Sequence, residues 1–286
     1  MAVTRHPFGT HPDIPDHRDH KFRAPARFKK SLPQAVDLRP LCPPVYDQGK
    51  LNSCSANAIA AAIWFDEIKE EAPEPLSPSR LFIYYNERAQ EDIQAKNVPV
   101  SLRDGYKSVV KNGVCHEREW PYLAKRFAVK PKARCYRVAR SQRVIRYFRL
   151  RRELLHFESC LAEGYPFTMG ISVYESFKKS EVARSGIVPM PLRREKHLGG
   201  HALLVVGYDR RRRLFIVRNS WGARWGLGGY CMMPYPYLLN PDLAWDFWTA
   251  RRISIRRRPQ SGRRARNRLR GPEPRPRPPG VYSLAG

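Results

Sequence analysis

A cysteine, a histidine and an asparagine occur along the chain in an order that suits nucleophilic acyl transfer. They are Cys54, His201 and Asn219. A thiol attacks as its thiolate, an imidazole takes up and returns the proton, and an amide can orient the imidazole ring. Gln48, which precedes the cysteine, could aim its amide N–H at an oxyanion together with the backbone N–H of Cys54. We therefore take these four side chains as candidate catalytic residues.

Each of these residues alone has an ordinary structural explanation. A lone cysteine is more often a buried structural thiol, and a histidine before the apolar segment 202–206 could be a core residue. Asn219 could belong to a turn at the end of a strand. The four residues together, in this order, favour a functional site. The start of a helix at Cys54 and an imidazolium at His201 would both lower the pKa of the thiol.

The local sequences around these residues resemble those of the papain-like cysteine peptidases. They read QGKLNSC at 48–54, GGHA at 199–202 and RNSWG at 218–222. Further similar segments occur at 76–79, at 120–122 and at 221–230, so the resemblance covers about residues 36–250. With its short front arm, the chain looks most like the bacterial members of the family.

The sequence departs from the family's local signature at three positions. Leu51 replaces a cysteine that exported relatives use in a disulfide, Asn52 replaces a glycine, and Ser55 replaces an aromatic residue. We expect Asn52 to adopt a positive φ, as asparagine does more readily than most residues. Leu51 favours free thiols over disulfides, although a Cys115–Cys135 bridge stays open as an alternative.

The resemblance implies an α+β, papain-like fold in which an active-site cleft separates a helical subdomain from a β-barrel-like subdomain. The order of the elements agrees, because helix formers predominate in about 36–165 and β-formers in about 166–250. The family's chemistry needs a polypeptide substrate and no cofactor. Trp221 could shield the bond between the histidine and the asparagine from water. The candidate substrate-binding residues are Asn52, Ser53, Ser101, Leu102, Arg103, Gly199, Gly200 and Trp221.

The pattern of residues predicts the elements that must position the site. Segment 56–65 is apolar nearly all round, which is typical of a buried helix, and Ser53 could cap its start. Other predicted helices lie near 77–94, 101–112 and 151–163, and predicted strands lie at 167–174, 202–208, 213–219 and 229–234.

Residues 1–35 are polar and rich in proline, and they predict an extended arm rather than a domain. We name residues 1–35 the N-terminal arm. Its histidines are irregularly spaced, so solvated side chains are favoured over a metal site. Our hypothesis is that the arm lies along the active-site groove and restrains activity. The alternative is a flexible N-terminus without contacts.

The net charge of +27 is concentrated near the other end of the chain, where residues 251–277 contain twelve arginines and one acid. Segment 251–286 therefore predicts a disordered basic tail, either solvated or in contact with a polyanion. The sequence contains no run of 18 apolar residues and no apolar core of a signal peptide at its start. We expect a cytoplasmic protein, or one exported without a cleaved signal peptide.

Three functions are compatible with these features. The first is a thiol-dependent peptidase, and the second is an acyl transferase, or transamidase, that uses the same residues with an amine as acceptor. The third is a basic protein that binds nucleic acid or an anionic surface on an inactive papain-like scaffold. The four intact candidate catalytic residues favour an enzyme.

Overall fold

The computed structural model of the protein describes residues 10–72, 74–140 and 145–252. In chain order, the helices of these residues are α1 Ala26–Lys30, α2 Cys54–Lys69, α3 Arg80–Ala89, α4 Leu102–Asn112, α5 Ala133–Arg140, α6 Leu154–Ala162, α7 Ser180–Ser185 and α8 Tyr235–Leu239. The strands are β1 Ala35–Asp37, β2 Ile145–Arg149, β3 Phe167–Tyr174, β4 His197–Asp209, β5 Leu214–Arg218, β6 Tyr230–Pro234 and β7 Ala244–Arg252. None of the helices within the described ranges is long and apolar enough to cross a membrane.

The strands form one antiparallel sheet in the order β2-β7-β3-β4-β5-β6, and β1 pairs with β4 as well. The fold class is α+β, as the sequence predicts. β4 is the longest strand and lies between β3 and β5, where its residues are buried from Gly200 to Tyr208. A side chain on this strand is therefore held by neighbours on both sides.

Helix α2 joins the two halves of the protein. It is buried on nearly all sides, because one side packs on α3 and α4 and another packs on the sheet. Small residues make the close approach to the sheet possible: Ala61 and Ala62 share a cluster with Leu204 and Val206 of β4. The residue at the start of α2 thus has a fixed position relative to β4.

The boundary between the halves differs from the expected one near residue 165. Helix α6 packs with the sheet, since its Phe157 stacks on Phe167 of β3. Strands β2 and β7, which the sequence does not predict, add an edge to the same sheet. Trp248 and Ala250 of β7 in turn belong to the helical core.

The start of the expected basic tail is also different. Arg251 and Arg252 are part of β7 and pair with β2. The guanidinium of Arg251 lies 3.6 Å from the ring centre of Tyr165 and forms an ion pair with Glu163. Arg251 is thus a structural residue, whereas the rest of the proposed polyanion-binding segment, residues 253–277, lies outside the described residues.

The described part of the N-terminal arm is attached to the body along its length. Phe22 is buried in the core of the sheet half, and its backbone N–H bonds to the carbonyl of Arg149. The hydroxyl of Tyr208 donates to the carbonyl of Pro33. The arm also contains helix α1, where the sequence predicts only extended chain.

Candidate active site

Cys54 is the first residue of α2, and its side chain is almost completely buried, at 1 % exposure. The backbone N–H groups of Ser55 and Ala202 approach its sulfur. Ser53 does not cap the helix, because its hydroxyl bonds to that of Tyr122 at 2.5 Å instead. Burial raises the pKa of the Cys54 thiol, against the lowering that the sequence predicts, and the nearby N–H groups only partly offset this effect.

His201 lies on β4, directly before the residue whose N–H approaches the sulfur. Its Nε2 is 2.9 Å from Oδ1 of Asn219. The indole of Trp221 stacks on the imidazole, with ring centres 4.9 Å apart, and Trp225 and Phe177 pack edge-on against that indole. The expected pair of histidine and asparagine is therefore present and lies beneath an aromatic layer that excludes water.

Gln48 is buried close to the start of α2, and both ends of its amide have partners. Its Oε1 accepts a hydrogen bond from the Ser220 hydroxyl at 2.6 Å, and its Nε2 donates one to the Leu51 carbonyl at 2.9 Å. The hydroxyl of Tyr122 donates to the backbone carbonyl of Gln48. The Leu51 carbonyl can only accept, so it fixes which end of the amide is nitrogen, and that nitrogen keeps a second hydrogen that it can donate.

The N-terminal arm reaches the reactive sulfur. The hydroxyl oxygen of Thr10 is 3.4 Å from Sγ of Cys54, and it also lies 3.4 Å from the carbonyl oxygen of Val100. On the opposite side, a methyl group on Gly200 would collide with the carbonyl of Thr10. Thr10 therefore fills the narrow space between the segment before α4 and β4.

Ion pairs hold the arm where it leaves this space. Asp19 receives two hydrogen bonds from the guanidinium of Arg103, at 3.0 and 2.6 Å, and a third from Arg149 at 3.0 Å. The side chains of Asp19 and Arg103 are 8 % and 7 % exposed, which makes this pair nearly inaccessible to water. Arg149 also bonds to Asp246 at 2.9 Å.

Four of the eight expected substrate-binding residues divide into two groups. Gly200 and Arg103 line the space that the arm occupies. Ser101 instead caps α4 through the N–H of Asp104, and Leu102 is fully buried in the helical core, so their side chains have structural roles. The remaining expected residues are Asn52, Ser53, Gly199 and Trp221.

The prediction for Asn52 is wrong in its conformation. Its φ is not positive, and its backbone N–H and side-chain amide bond to the side chain and carbonyl of Asn97. Asn52 thus fixes the turn before α2 by long-range hydrogen bonds. Gly199 does have a positive φ, of 129°, just before the buried part of β4.

Three residues of this site are not found by sequence reasoning. Ser220 orients Gln48, Tyr122 bonds to both Ser53 and Gln48, and Thr10 contacts the sulfur. Ser220 follows Asn219 directly and Tyr122 lies in a segment similar to the family, which are usable signals. Thr10 has no such signal, because only tertiary structure brings it to Cys54. The described ranges contain no group of histidines, cysteines and acids arranged to hold a metal ion.

Comparison with known proteins identifies the family and the fold. A model of the papain family of cysteine proteases matches residues 32–236. An uncharacterized peptidase C1-like protein of Acanthamoeba polyphaga mimivirus is 40% identical over 232 residues, which cover 78% of this chain and 72% of that protein. The crystal structure of xylellain, a cysteine protease from Xylella fastidiosa, is 39% identical with a TM-score of 0.80 and covers 88% of this chain and 100% of its own.

A more distant structure shows the same fold. It is procathepsin B S9 from Trypanosoma congolense, with a TM-score of 0.68 at 17% identity, covering 86% of this chain and 87% of that one. The fold is therefore papain-like, and the two closer similarities extend the agreement to the sequence. The chain belongs to the papain family of cysteine peptidases.

Proposed function

We propose that the protein hydrolyses peptide bonds with Cys54 as nucleophile and His201 as general base and acid. The observation that carries this proposal is the bond between His201 and Asn219 beneath Trp221, on the strand whose next N–H approaches the Cys54 sulfur. Asn219 accepts the Nε2 hydrogen and so fixes the tautomer and the orientation of the ring. Nδ1 is then the nitrogen that exchanges a proton with the thiol.

The proposed reaction has two halves. The thiolate attacks the scissile carbonyl, a carbon–sulfur bond forms, and the imidazolium protonates the departing amine as the carbon–nitrogen bond breaks. Water then attacks the thioester and its proton passes to the imidazole, the carbon–sulfur bond breaks, and the acid leaves as the thiolate and the imidazolium are restored. An amine in place of water would give transamidation from the same acyl-enzyme.

Gln48 is the proposed donor to the oxyanion that forms in both halves. Its Nε2 has one hydrogen bonded to Leu51, and the other is available to share the oxyanion with the Cys54 backbone N–H. Ser220 holds the amide in this orientation before substrate arrives. Such a preorganised donor contributes about 3–4 kcal/mol of transition-state stabilisation.

The N-terminal arm is the proposed regulator of this site. Thr10 lies against the sulfur and Asp19 anchors the segment behind it, so a substrate can reach Cys54 only after the arm moves. Burial raises the pKa of the Cys54 thiol and favours its neutral form, and the hydrogen bond with the Thr10 hydroxyl offsets only part of this effect. The arm-docked protein is thus the resting form, and its release precedes catalysis.

Intact-mass analysis of the reduced full chain with an epoxysuccinyl peptide inhibitor tests the chemistry. We expect one adduct on the unaltered protein, none on Cys54→Ala, and a strongly slowed reaction on His201→Ala. Cys42→Ser is the matched control, because Cys42 is a partly buried free thiol whose hydrogen bond goes to the Leu38 carbonyl. Equal labelling of His201→Ala and the unaltered protein would refute the proposed pair, and amide products formed with an added amine would indicate transamidation.

A further inference from the structure

One side chain of the arm, that of Asp13, occupies a carboxylate-binding position formed by the rest of the protein. We name this position the carboxylate seat. Oδ1 of Asp13 accepts the backbone N–H of Arg103 at 3.2 Å, and Oδ2 accepts the indole N–H of Trp248 at 2.9 Å. Both donors come from well-packed elements, α4 and β7. Asp13 is 7 % exposed and Trp248 is fully buried, so the two bonds are shielded from water.

This carboxylate seat belongs to the cleft that leads to Cys54. Asp13 is three residues from Thr10, whose hydroxyl contacts the sulfur, and three residues of extended chain span about 10 Å. The backbone between them passes Gly200, where only hydrogen fits beside the arm. A polypeptide bound for cleavage would lie in the same space, and one of its side chains would reach the seat.

The charges around the seat favour an acidic occupant. The body contributes two guanidinium groups, of Arg103 and Arg149, which lie 5.6 and 5.3 Å from the Trp248 ring centre. It contributes one buried carboxyl group, Asp246, which accepts the backbone N–H of Asp13 and bonds to Arg149. Once Asp13 and Asp19 leave with the arm, two cations face a single acid. One incoming carboxylate makes the number of acids equal to the number of cations.

We propose that this seat is a substrate subsite that selects an aspartate or glutamate side chain of the polypeptide, and that the arm blocks it with Asp13 as a substitute. The inference rests on the proposed peptidase function. A neutral side chain of the same shape gains less, because a charged acceptor forms the stronger hydrogen bonds and only a negative group compensates the exposed guanidinium groups. Arg103 and Trp248 are thus specificity-determining residues.

The test uses the full chain and pairs of internally quenched peptides. One member of each pair has aspartate and the other has asparagine at the same position, and successive pairs move this position along the peptide. The measured quantity is the ratio of kcat/KM for the two members of a pair. This ratio is independent of the fraction of protein whose arm is released, since both peptides meet the same population. We expect this ratio to favour aspartate by about tenfold to a hundredfold at one position, and to be near unity at the other positions.

Two variants connect the preference to the seat. Trp248→Phe keeps an aromatic ring but removes the N–H, and it should lower the ratio by about tenfold at that position alone. Arg103→Gln removes the guanidinium and keeps the backbone N–H. It is the variant to use if Trp248→Phe does not fold. Arg134→Gln is the matched control, because Arg134 is an exposed residue paired with Glu119.

The outcomes separate this inference from the proposed function. Cleavage of neutral peptides with ratios within twofold at all positions would overturn the subsite and leave the peptidase intact. A preference that survives in both variants would assign acid recognition to another place and also overturn it. No cleavage of any peptide, together with an unlabelled Cys54, would refute the peptidase proposal and this inference with it.

Discussion

Neutralising Asp19 should activate the protein without any change in the catalytic residues. Asp19→Asn keeps the size of the side chain but removes the charge that pairs with Arg103 and Arg149. Arg103 is 7 % exposed in its side chain, whereas Arg149 is 29 % exposed and keeps Asp246 as a partner. Most of the loss therefore falls on the pair with Arg103.

The size of the effect follows from the burial of that pair. Removing one partner of a buried ion pair costs about 3–5 kcal/mol. The lower end applies here, because Arg149 is partly solvated and asparagine still accepts a hydrogen bond. About 3 kcal/mol corresponds to a shift of roughly a hundredfold in the equilibrium between docked and released arm. Labelling of Cys54 should accelerate by up to that factor, limited by the rate of the released form.

The assay is the pseudo-first-order rate of Cys54 labelling by an epoxysuccinyl peptide, followed by intact mass in parallel with peptide hydrolysis. Asp16→Asn is the matched control, because Asp16 forms its ion pair with the exposed Arg18 inside the arm. That surface pair contributes little, so the control should stay within about twofold of the unaltered protein. Equal rates for Asp19→Asn and the unaltered protein would show that Asp19 does not anchor the arm, and so would equal activation of both variants.

Three further predictions concern the oxyanion donor and the pH response. Gln48→Ala should lower kcat by about a hundredfold to a thousandfold with little change in KM, in steady-state hydrolysis. Ser220→Ala should lower kcat less, since the Gln48 donor remains but loses its fixed orientation, and an unchanged kcat would contradict that role. Burial and the nearby Asp13 raise the pKa of Asp246 to about 7, so the docked arm binds more protons than the released arm and docking weakens as pH rises towards 7. Cys54 labelling should therefore rise more steeply from pH 5 to 7.5 in the unaltered protein than in Asp246→Asn, and parallel profiles would contradict this linkage.

The sequence identifies the candidate catalytic residues because their signals are local. Cys54 begins a segment of strong helix formers, and Ser220 and Trp221 adjoin Asn219, so short segments contain most of the chemistry. Their meeting follows from the fold class, since α2 packs against β4 in the structure. The local sequence also predicts the strands β3 to β6, because their apolar runs are short and bounded by turn residues.

The elements that the sequence does not predict depend on distant partners. Strand β2 has the sequence Ile-Arg-Tyr-Phe-Arg, which does not alternate regularly between polar and apolar residues. It forms a strand by pairing with β7. Arg251 has the composition of the basic segment that follows it, yet Tyr165 and Glu163 hold it in the fold. Thr10 and Asp13 lie in a proline-rich segment without periodicity. Their positions are set by contacts with residues far along the chain, which no local propensity reports.

The proposed inhibition by the arm and the proposed preference for acidic substrates are coupled through one residue and separable at another. Arg103 donates its backbone N–H to Asp13 and its guanidinium to Asp19, so a change there weakens docking of the arm and alters the proposed subsite together. Asp19 belongs to the arm alone, so its substitution should change the rate of activation and leave the ratio of acidic to neutral substrates intact. A protein that selects acidic polypeptides can thus be restrained by an acidic segment of its own, since both compete for the same two cations. Stronger binding of carboxylates at the seat would therefore also hold the arm more tightly, unless the anchor at Asp19 is weakened in compensation.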